Sequence, residues 1–66
     1  MKHVYFGTLP IGSEFLHIDK AYRKIDEEHA IDMQGKKCVI EPHYGAVITF
    51  SQFKKYNLTD KDLRRD

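Results

Sequence analysis

A chain of 66 residues is long enough for one small domain and too short for a second independent core. Hydrophobic residues make up 41% and charged residues 32% of the chain, which excludes the disordered class of low hydrophobicity and high net charge. A formal net charge of +1 excludes a strong overall attraction to nucleic acid or to a membrane surface, so any such attraction must be local.

The first predicted element is a short β-strand near the N-terminus. Residues 4–6, Val-Tyr-Phe, form a β-rich run that Gly7 closes. Residues 9–12, Leu-Pro-Ile-Gly, combine proline with glycine, which is typical of a turn between strands. The segment therefore predicts one strand followed by a reversal of the chain.

A β-hairpin is predicted next. Residues 14–18 and 21–25 are both rich in aromatic or β-branched residues, and Asp19-Lys20 is the candidate two-residue loop between them. If Ile18 faces Ala21, side-chain alternation divides the hairpin residues between two faces of the sheet. One face then carries Phe15, His17, Tyr22 and Lys24, and the other carries Leu16, Ile18, Arg23 and Ile25.

Three more strands are predicted in the rest of the chain, each preceded by a turn. The turns are charged or contain glycine, and they fall at residues 26–28, 34–36 and 41–45. The strands fall at residues 29–33, 38–40 and 46–50. The last of these is the most strand-like segment of the sequence, because it consists largely of β-branched and aromatic residues.

The C-terminal segment changes character. Thr59 can cap a short helix in which Asp62 takes the third position, and Leu63 is the strongly apolar residue of that helix. Such a short helix is marginal on its own. We therefore divide the chain into a small β domain at residues 1–50 and a helical or partly ordered tail at residues 51–66.

A second layout competes with the hairpin on the residues alone. Apolar and aromatic residues between positions 18 and 29 also recur at helical spacing, Asp19 can cap a helix, and Gly35 can end it. This layout is α+β, in the order β-α-β-β, with a helix at residues 19–33. Good helix formers in the stretch and the weak Asp-Lys turn signal leave both layouts open.

A pattern of turn and core residues runs from position 9 to position 47. It consists of Leu9-Pro10-Ile11-Gly12-x-x-Phe15, Tyr22-x-Lys24-x-Asp26, Ala30, Gly35, and Pro42 with Val47. This pattern resembles that of a widespread group of short uncharacterised bacteriophage proteins. The sequence departs from it at His17, where an aromatic residue is common, and at Glu27-Glu28 in the turn.

The resemblance implies a fold and an origin, and no activity that could be transferred to particular residues. The implied fold is β-rich: a small antiparallel meander or partly open SH3-like barrel of about five short strands, with a short C-terminal helix. The resemblance also favours the hairpin over the helix at residues 19–33. A phage-like origin would place the protein in the cytoplasm of a host cell.

Cysteine usage and the N-terminal segment agree with that location. Cys38 is the single cysteine, which excludes an intramolecular disulfide, and a small domain without one fits a reducing, cytoplasmic compartment. The first apolar stretch is short and is interrupted by Gly7 and Pro10, so it predicts neither a signal peptide nor a membrane span. We expect no membrane partner.

Metal binding and catalysis are not expected. The possible soft metal ligands are His17, His29, Cys38 and His43. Only Cys38 and His43 approach the close spacing of ligand pairs in structural zinc sites. Catalysis needs a nucleophile with a base, or a carboxylate pair in a pocket, and a chain of this length leaves little room for one. We therefore expect no enzyme, no catalytic residue and no cofactor.

Binding through the surface is the expected mode of action. Basic residues occur in pairs, several beside aromatic residues, and this combination suits single-stranded nucleic acid because bases stack on rings while cations neutralise phosphate. Paired lysines are also common solubilising groups at turns and strand edges, so a protein target is favoured and nucleic acid is the alternative. The predicted partner-binding residues are Tyr22, Lys24, Lys36, Lys37, Tyr44, Phe53, Lys54, Lys55 and Tyr56.

An unpaired strand edge is a second route to a partner. Residues 46–50 or residues 4–6 are the candidate edges, either for a homodimer or for addition of a partner's strand. Phe6 and Phe53 have two interpretations, as exposed anchors or as members of a thin core. Together with the resemblance, these observations favour a phage-type accessory protein that binds a host protein and inhibits it by occlusion.

Overall fold

The computed structural model describes residues 1–64, which form one antiparallel sheet, one short α-helix and two 3-10 turns. In these residues the strands are β1 (Lys2–Tyr5), β2 (Glu14–His17), β3 (Lys20–Lys24), β4 (His29–Asp32), β5 (Lys37–Val39) and β6 (Gly45–Ile48). The helix α1 spans Phe50–Lys55, and the 3-10 turns span Phe6–Thr8 and Asp60–Asp62. The strand order is β1-β6-β2-β3-β4-β5.

The β-rich fold predicted from the sequence is confirmed. Within residues 1–64 the sheet has six strands where about five were expected, and it has the open antiparallel form of a small meander or partly open barrel. The competing helix at residues 19–33 is wrong, because pairing of β3 and β4 on both sides outweighs the modest helix propensity of this stretch. No helix in the described part of the chain is long and apolar enough to cross a membrane.

The β2–β3 hairpin turns one residue earlier than predicted. His17 pairs with Lys20, so Ile18 and Asp19 form the loop. Both loop residues have positive φ, 51° and 59°, as the favoured two-residue hairpin turns require. The observed pairing differs from the predicted one by an even number of residues, so every side chain keeps its face. The predicted shared face is therefore confirmed, and it carries Phe15, His17, Tyr22 and Lys24.

The core combines inward-facing strand residues with residues from the connections and from α1. Its buried hydrophobic members are Val4, Phe6, Leu9, Phe15, Ala30, Ile40, Ala46, Ile48 and Phe53. Strand alternation is clear in β6, where Ala46 and Ile48 are buried and Val47 between them is half-buried. Burying one large apolar side chain contributes about 1.5–3 kcal/mol. Single core residues therefore matter in a chain of this length.

A capping box ends β6 and begins α1. The Gln52 N–H donates to Thr49 Oγ1 at 3.0 Å, and the Thr49 N–H donates to Gln52 Oε1 at 2.8 Å. These bonds turn the chain at Thr49, so the predicted strand at residues 46–50 is too long and Phe50 belongs to the helix. The prediction begins the short C-terminal helix later, after Thr59, although Thr-x-x-Gln at residues 49–52 is a sequence signature of a helix start.

Thr59 occupies the predicted N-terminal position, but of a shorter element than the predicted helix. The Thr59 N–H donates to Asp62 Oδ2 at 2.8 Å, and the Asp62 N–H donates to the Thr59 carbonyl at 2.8 Å. The element that follows is a single 3-10 turn, Asp60–Asp62, and not an α-helix. Leu63 packs against the core, so this segment joins the β domain. Residues 65–66 of the predicted tail lie outside the described residues.

The two ends of the sheet differ. β6 lies between β1 and β2, so the prediction of an unpaired edge at residues 46–50 is wrong. β1 is an end strand, but on its outer side Leu63 bridges to Val4 and the Arg64 N–H donates to the His3 carbonyl at 2.8 Å. β5 is the other end strand, and among residues 1–64 it pairs with β4 alone.

Candidate binding surface

Lys24, one of the predicted partner-binding residues, is an interior residue. Its side chain is 0% exposed, and its ammonium nitrogen donates to the carbonyls of Leu9 at 2.6 Å and Phe6 at 3.1 Å. The same nitrogen lies 4.7 Å from the centre of the Phe6 ring. The prediction that Lys24 contacts a partner is therefore wrong. The side chain instead holds the segment between β1 and β2 against β3.

The surroundings of Lys24 explain how a lysine is tolerated in the core. Burial lowers the pKa of Lys24, and the carboxylates of Glu27 and Asp26 partly oppose that shift. Glu27 Oε2 lies 3.8 Å from the ammonium nitrogen. A buried charge persists only where it is paired and hydrogen-bonded, and the two carbonyls with the Glu27 carboxylate meet that need. Lys24 is thus a structural group.

The exposed aromatic residue of α1 is Phe50 and not Phe53. Phe53 is 8% exposed and belongs to the core, as does Phe6, so the prediction that Phe53 contacts a partner is wrong. Phe50 is 55% exposed. The ammonium nitrogens of Lys2 and Lys54 lie 5.5 and 5.0 Å from the centre of its ring. This arrangement was missed because residues 46–50 were assigned to a strand.

The remaining predicted partner-binding residues lie on several elements. Two exposed pairs of lysines are Lys36–Lys37 at the start of β5 and Lys54–Lys55 at the end of α1. The tyrosines are Tyr22 in β3 and Tyr56 after α1, both half-buried, and Tyr44 before β6, which is exposed. Positive charge is thus divided between β5 and α1, and neither element carries all of it.

Two of those tyrosines are engaged within the molecule. The Tyr56 hydroxyl oxygen accepts a hydrogen bond from the Glu14 N–H at 3.1 Å. Tyr22 packs against the hydrophobic core. Its burial raises its pKa, and the nearby Cys38 and Asp32 act in the same direction. Both side chains therefore support the fold, which leaves Tyr44 as the tyrosine best placed to meet a partner.

A groove of about 500 Å³ runs along the outer side of β1, β6 and β2. We call this feature the groove. Its lining residues are His3, Leu16, His17, Ile18, Tyr44, Gly45, Val47 and Arg64. Leu16 pairs with Val47 across β2 and β6 and supplies apolar surface. Ile18 is 82% exposed and Tyr44 is 44% exposed. The groove therefore presents apolar and aromatic side chains to solvent.

Two imidazole rings orient Tyr44 in the groove. The His17 ring lies nearly parallel to the Tyr44 ring, with centroids 6.1 Å apart and planes at 14°. The His43 ring meets the Tyr44 ring edge-on at 4.9 Å. His17 Nδ1 donates to the Gly45 carbonyl at 2.9 Å, because a carbonyl oxygen can only accept. Both imidazole rings thus pack against Tyr44, which stays 44% exposed.

Gly45 leaves room for the side chain of Arg64. A Cβ atom at Gly45 would lie 2.5 Å from Arg64 Nη1, a distance that ordinary contacts do not allow. The Arg64 main chain is fixed to β1 by its bond to the His3 carbonyl. Arg64 therefore adds a cation to the groove, which the sequence indicated only as one half of a basic pair.

The candidate metal ligands are dispersed. The His29 Nδ1 atom lies 2.8 Å from Asp26 Oδ1, and the His43 Nε2 atom lies 3.2 Å from Glu41 Oε2. His17 belongs to the groove, and Cys38 lies in β5 on the face opposite to His29, because Cys38 pairs with Ala30 and not with His29. Within residues 1–64 no group of three or more such side chains could hold a metal ion.

Sequence reasoning could not assemble the groove. Its residues come from the N-terminal strand, the β2–β3 hairpin, the segment before β6 and the end of the described chain. Insertion of β6 between β1 and β2 brings them together. Tyr44 was predicted from the sequence as a partner-binding residue, and His17 was considered only as a possible metal ligand. His3, Ile18 and Arg64 carry no local signal of their role.

The chain has been compared with protein-family models, with curated proteins and with solved structures, and none of these comparisons finds a match. A function must therefore be inferred from the exposed surfaces of the molecule. They are the groove, Phe50 with its two lysines, and the end of the sheet at β5.

Proposed function

We propose that this chain is a small, non-catalytic accessory protein of bacteriophage type, which binds a host protein through the groove and inhibits it by occlusion. The observation that carries the proposal is the exposure of neighbouring apolar and aromatic side chains there, above all Ile18 at 82% and Tyr44 at 44%. Contiguous exposed apolar surface of this kind marks interaction sites on soluble domains.

The lining of the groove favours a protein partner of particular chemistry. Tyrosine and arginine are strongly enriched among the residues that anchor protein interfaces, and Tyr44 and Arg64 lie on the same groove. Leu16 and Val47 add apolar contact area between them. We therefore expect a partner segment that presents apolar side chains to this lining.

The phage-type origin and the cytoplasmic location belong to the same proposal. The resemblance of residues 9–47 to short bacteriophage proteins supports the origin. A single cysteine, Cys38, supports a reducing compartment. A host cytoplasmic protein is then the macromolecule that the groove would meet.

Affinity capture with matched variants tests the groove. Immobilised wild-type protein, Ile18→Asp and Met33→Asp are incubated with bacterial lysate, and a retained protein is purified for titration. Ile18 and Met33 are a matched pair, because both are apolar and highly exposed, at 82% and 85%, and only Ile18 lines the groove. Aspartate suits the positive φ of position 18, so Ile18→Asp should fold.

The expected result is a partner that wild type and Met33→Asp retain and Ile18→Asp loses, with affinity lowered by about tenfold or more. Tyr44→Ala should weaken the same purified complex. A partner that all three proteins bind equally, or no partner at any lysate concentration, would contradict the proposal.

Single-stranded nucleic acid is a second candidate partner, at Phe50. An exposed ring with two ammonium groups near its face is the combination that stacks a base and neutralises phosphate. Fluorescence anisotropy with a short single-stranded oligonucleotide tests it. Binding should weaken steeply with salt, and Lys54→Gln should flatten that dependence whereas Lys36→Gln should not. No rise in the anisotropy of the oligonucleotide at low salt would contradict it.

A further inference from the structure

The outer edge of β5 has backbone groups directed away from the sheet. The Asp32 N–H donates to the Lys36 carbonyl at 3.0 Å, and the Ile40 N–H donates to the Glu28 carbonyl at 2.8 Å. Backbone groups alternate in direction along an antiparallel strand. Residues at even positions of this strand therefore bond towards β4, and Lys37 and Val39 direct their N–H and C=O groups outward.

The opposite end of the sheet shows how this fold treats an edge. There the chain covers β1 with its own Leu63 and Arg64, and the His3 carbonyl receives the Arg64 N–H at 2.8 Å. The sheet order places no strand beyond β5 within residues 1–64. Val39 in β5 is 66% exposed, so apolar surface accompanies the outward backbone groups. An edge of this kind is a template for another strand.

The charges along this edge are self-complementary. Lys37 lies in β5 two positions before Val39. Glu41 lies two positions after Val39, one residue past the last bond of this ladder, which joins the Ile40 N–H to the Glu28 carbonyl. Lys37 is exposed, and the Glu41 side chain is 57% exposed and lies 3.2 Å from His43. When two antiparallel copies are aligned on Val39, Lys37 of each copy lies opposite Glu41 of the other.

We propose that the partner of this edge is a second copy of the chain, joined in a two-fold symmetric dimer through β5. The Val39 N–H of each copy donates to the Val39 carbonyl of the other, and Lys37 forms an ion pair with Glu41 on each side of the axis. A two-fold axis requires such self-complementarity, which an arbitrary partner strand would have to match by chance. Cys38 faces the core side of the strand, so no disulfide is involved.

The dimer is expected to be weak. The contact is a strand segment of about five residues per copy, which falls at the small end of the range of specific interfaces. Association should therefore depend on protein concentration. It uses the end of the sheet opposite to β1, so Ile18→Asp in the groove should leave it unchanged. Failure of the groove proposal and failure of the dimer are thus distinguishable.

Sedimentation equilibrium and amide NMR over a wide concentration range test the dimer on the intact chain. The expected result is a rising average mass, with concentration-dependent shifts confined to residues 36–41 and slowed hydrogen exchange at Lys37 and Val39. The same result should be obtained with reducing agent. A monomer at every concentration, or shifts centred on β1 or the groove, would overturn the proposal.

Charge exchange gives the sharper test. Lys37→Glu alone and Glu41→Lys alone should each lower the association constant by about tenfold or more, because like charges then face each other. The double variant should recover the wild-type constant to within about threefold. Both positions are exposed, so the variants should fold. Effects that simply add, with no recovery in the double variant, would refute the pairing.

A backbone variant separates strand pairing from side-chain contact. Val39→Pro removes an N–H that points away from β4 and keeps the bonds of β5 to β4, so a folded monomer is expected. Val39→Ala retains the N–H and should still associate, within about tenfold of wild type. Amide spectra verify the fold of both variants. Self-association of folded Val39→Pro at wild-type strength would overturn the proposal.

Discussion

Two lysine–aromatic contacts in this molecule have similar geometry and opposite roles. The Lys24 ammonium lies 4.7 Å from the Phe6 ring centre, and the Lys54 ammonium lies 5.0 Å from the Phe50 ring centre. The Lys24 side chain is 0% exposed, whereas Phe50 is 55% exposed. The first contact belongs to the core and the second is open to a partner.

Burial separates the two contacts energetically. Around Lys24 two carbonyls and a carboxylate accompany the ring. The Lys24 side chain is shielded from bulk water, so water cannot replace these partners. Around Phe50 water and salt screen the charge, so the contact contributes about 0.5–1 kcal/mol. The same residue types are therefore a structural support in one place and a candidate recognition feature in the other.

Replacing the buried lysine should have the largest effect. Lys24→Met keeps most of the apolar stem but removes the donor to the Leu9 carbonyl and leaves the Phe6 carbonyl with the Leu9 N–H alone. This loss should cost about 3 kcal/mol of unfolding free energy. Urea unfolding followed by circular dichroism measures the change, and a variant already unfolded in buffer also meets the expectation. Lys55→Met, at an exposed position of α1, is the control and should change stability by less than about 0.5 kcal/mol. Equal stability of Lys24→Met and wild type would show that the buried contact does not stabilise the fold more than the exposed one.

The cap that places Phe50 should come next. Thr49→Ala removes the side-chain acceptor for the Gln52 N–H at the start of α1, and should cost about 1 kcal/mol. Thermal unfolding measures it. Thr59→Ala provides a comparison at the second 3-10 turn, Asp60–Asp62, which is shorter than α1. The Thr59→Ala variant should therefore lose less unfolding free energy than Thr49→Ala. If Thr49→Ala left both stability and the amide shifts of α1 unchanged, the capping box would not position Phe50.

A pH series tests the charge of Asp32, which lies at the end of β4. Hydrogen bonds from the Lys36 and Gln34 N–H groups, the first being the stronger cause, lower the pKa of Asp32 below its usual 3.8. The ionised carboxylate therefore stabilises the fold above pH 3.8, and this contribution is lost as pH falls through the lowered pKa. Asp32→Ala should flatten the dependence of unfolding free energy on pH in that acid window, measured by urea titration at several pH values. Glu28→Gln is the control, and an unchanged acid slope in Asp32→Ala would contradict this account.

The smallest effect on stability is expected at the exposed contact. Lys54→Gln should lower the unfolding free energy by about 0.5 kcal/mol, the lower end of the range for such a contact, because its ring contact is exposed to solvent. Chemical unfolding run beside Lys24→Met measures both under one condition. A loss comparable to that of Lys24→Met would show that exposure does not separate the two contacts.

Much of the fold was predictable because it depends on local patterns. Alternating apolar residues and turn residues located the strands, and the period of two preserved the faces of the β2–β3 hairpin even though its loop was misplaced. That loop was missed for a physical reason: Ile18 has φ of 51°, a conformation that β-branched residues rarely adopt. A short C-terminal helix was predicted, but its start was placed after Thr59 despite a readable earlier signal, the Thr49–Gln52 capping box.

The binding surfaces were less predictable because they depend on contacts between distant segments. Nothing beside Lys24 in the sequence indicates burial, since its acceptors belong to Phe6 and Leu9. Arg64 reaches the groove only because it lies against Gly45. Basic residues near aromatic ones therefore could not be sorted into interior and surface groups before the chain was folded.

Insertion of β6 between β1 and β2 also sets an order of events in folding. Strands β2 to β5 are neighbours in sequence and in the sheet, so their pairing closes only short loops. β1 must wait for β6, as the pairing of Lys2 with Ile48 shows. Nucleation is thus expected in the meander, with the N-terminal strand docking last. Stopped-flow experiments should accordingly find that substitutions in β3 slow refolding, whereas those in β1 chiefly hasten unfolding.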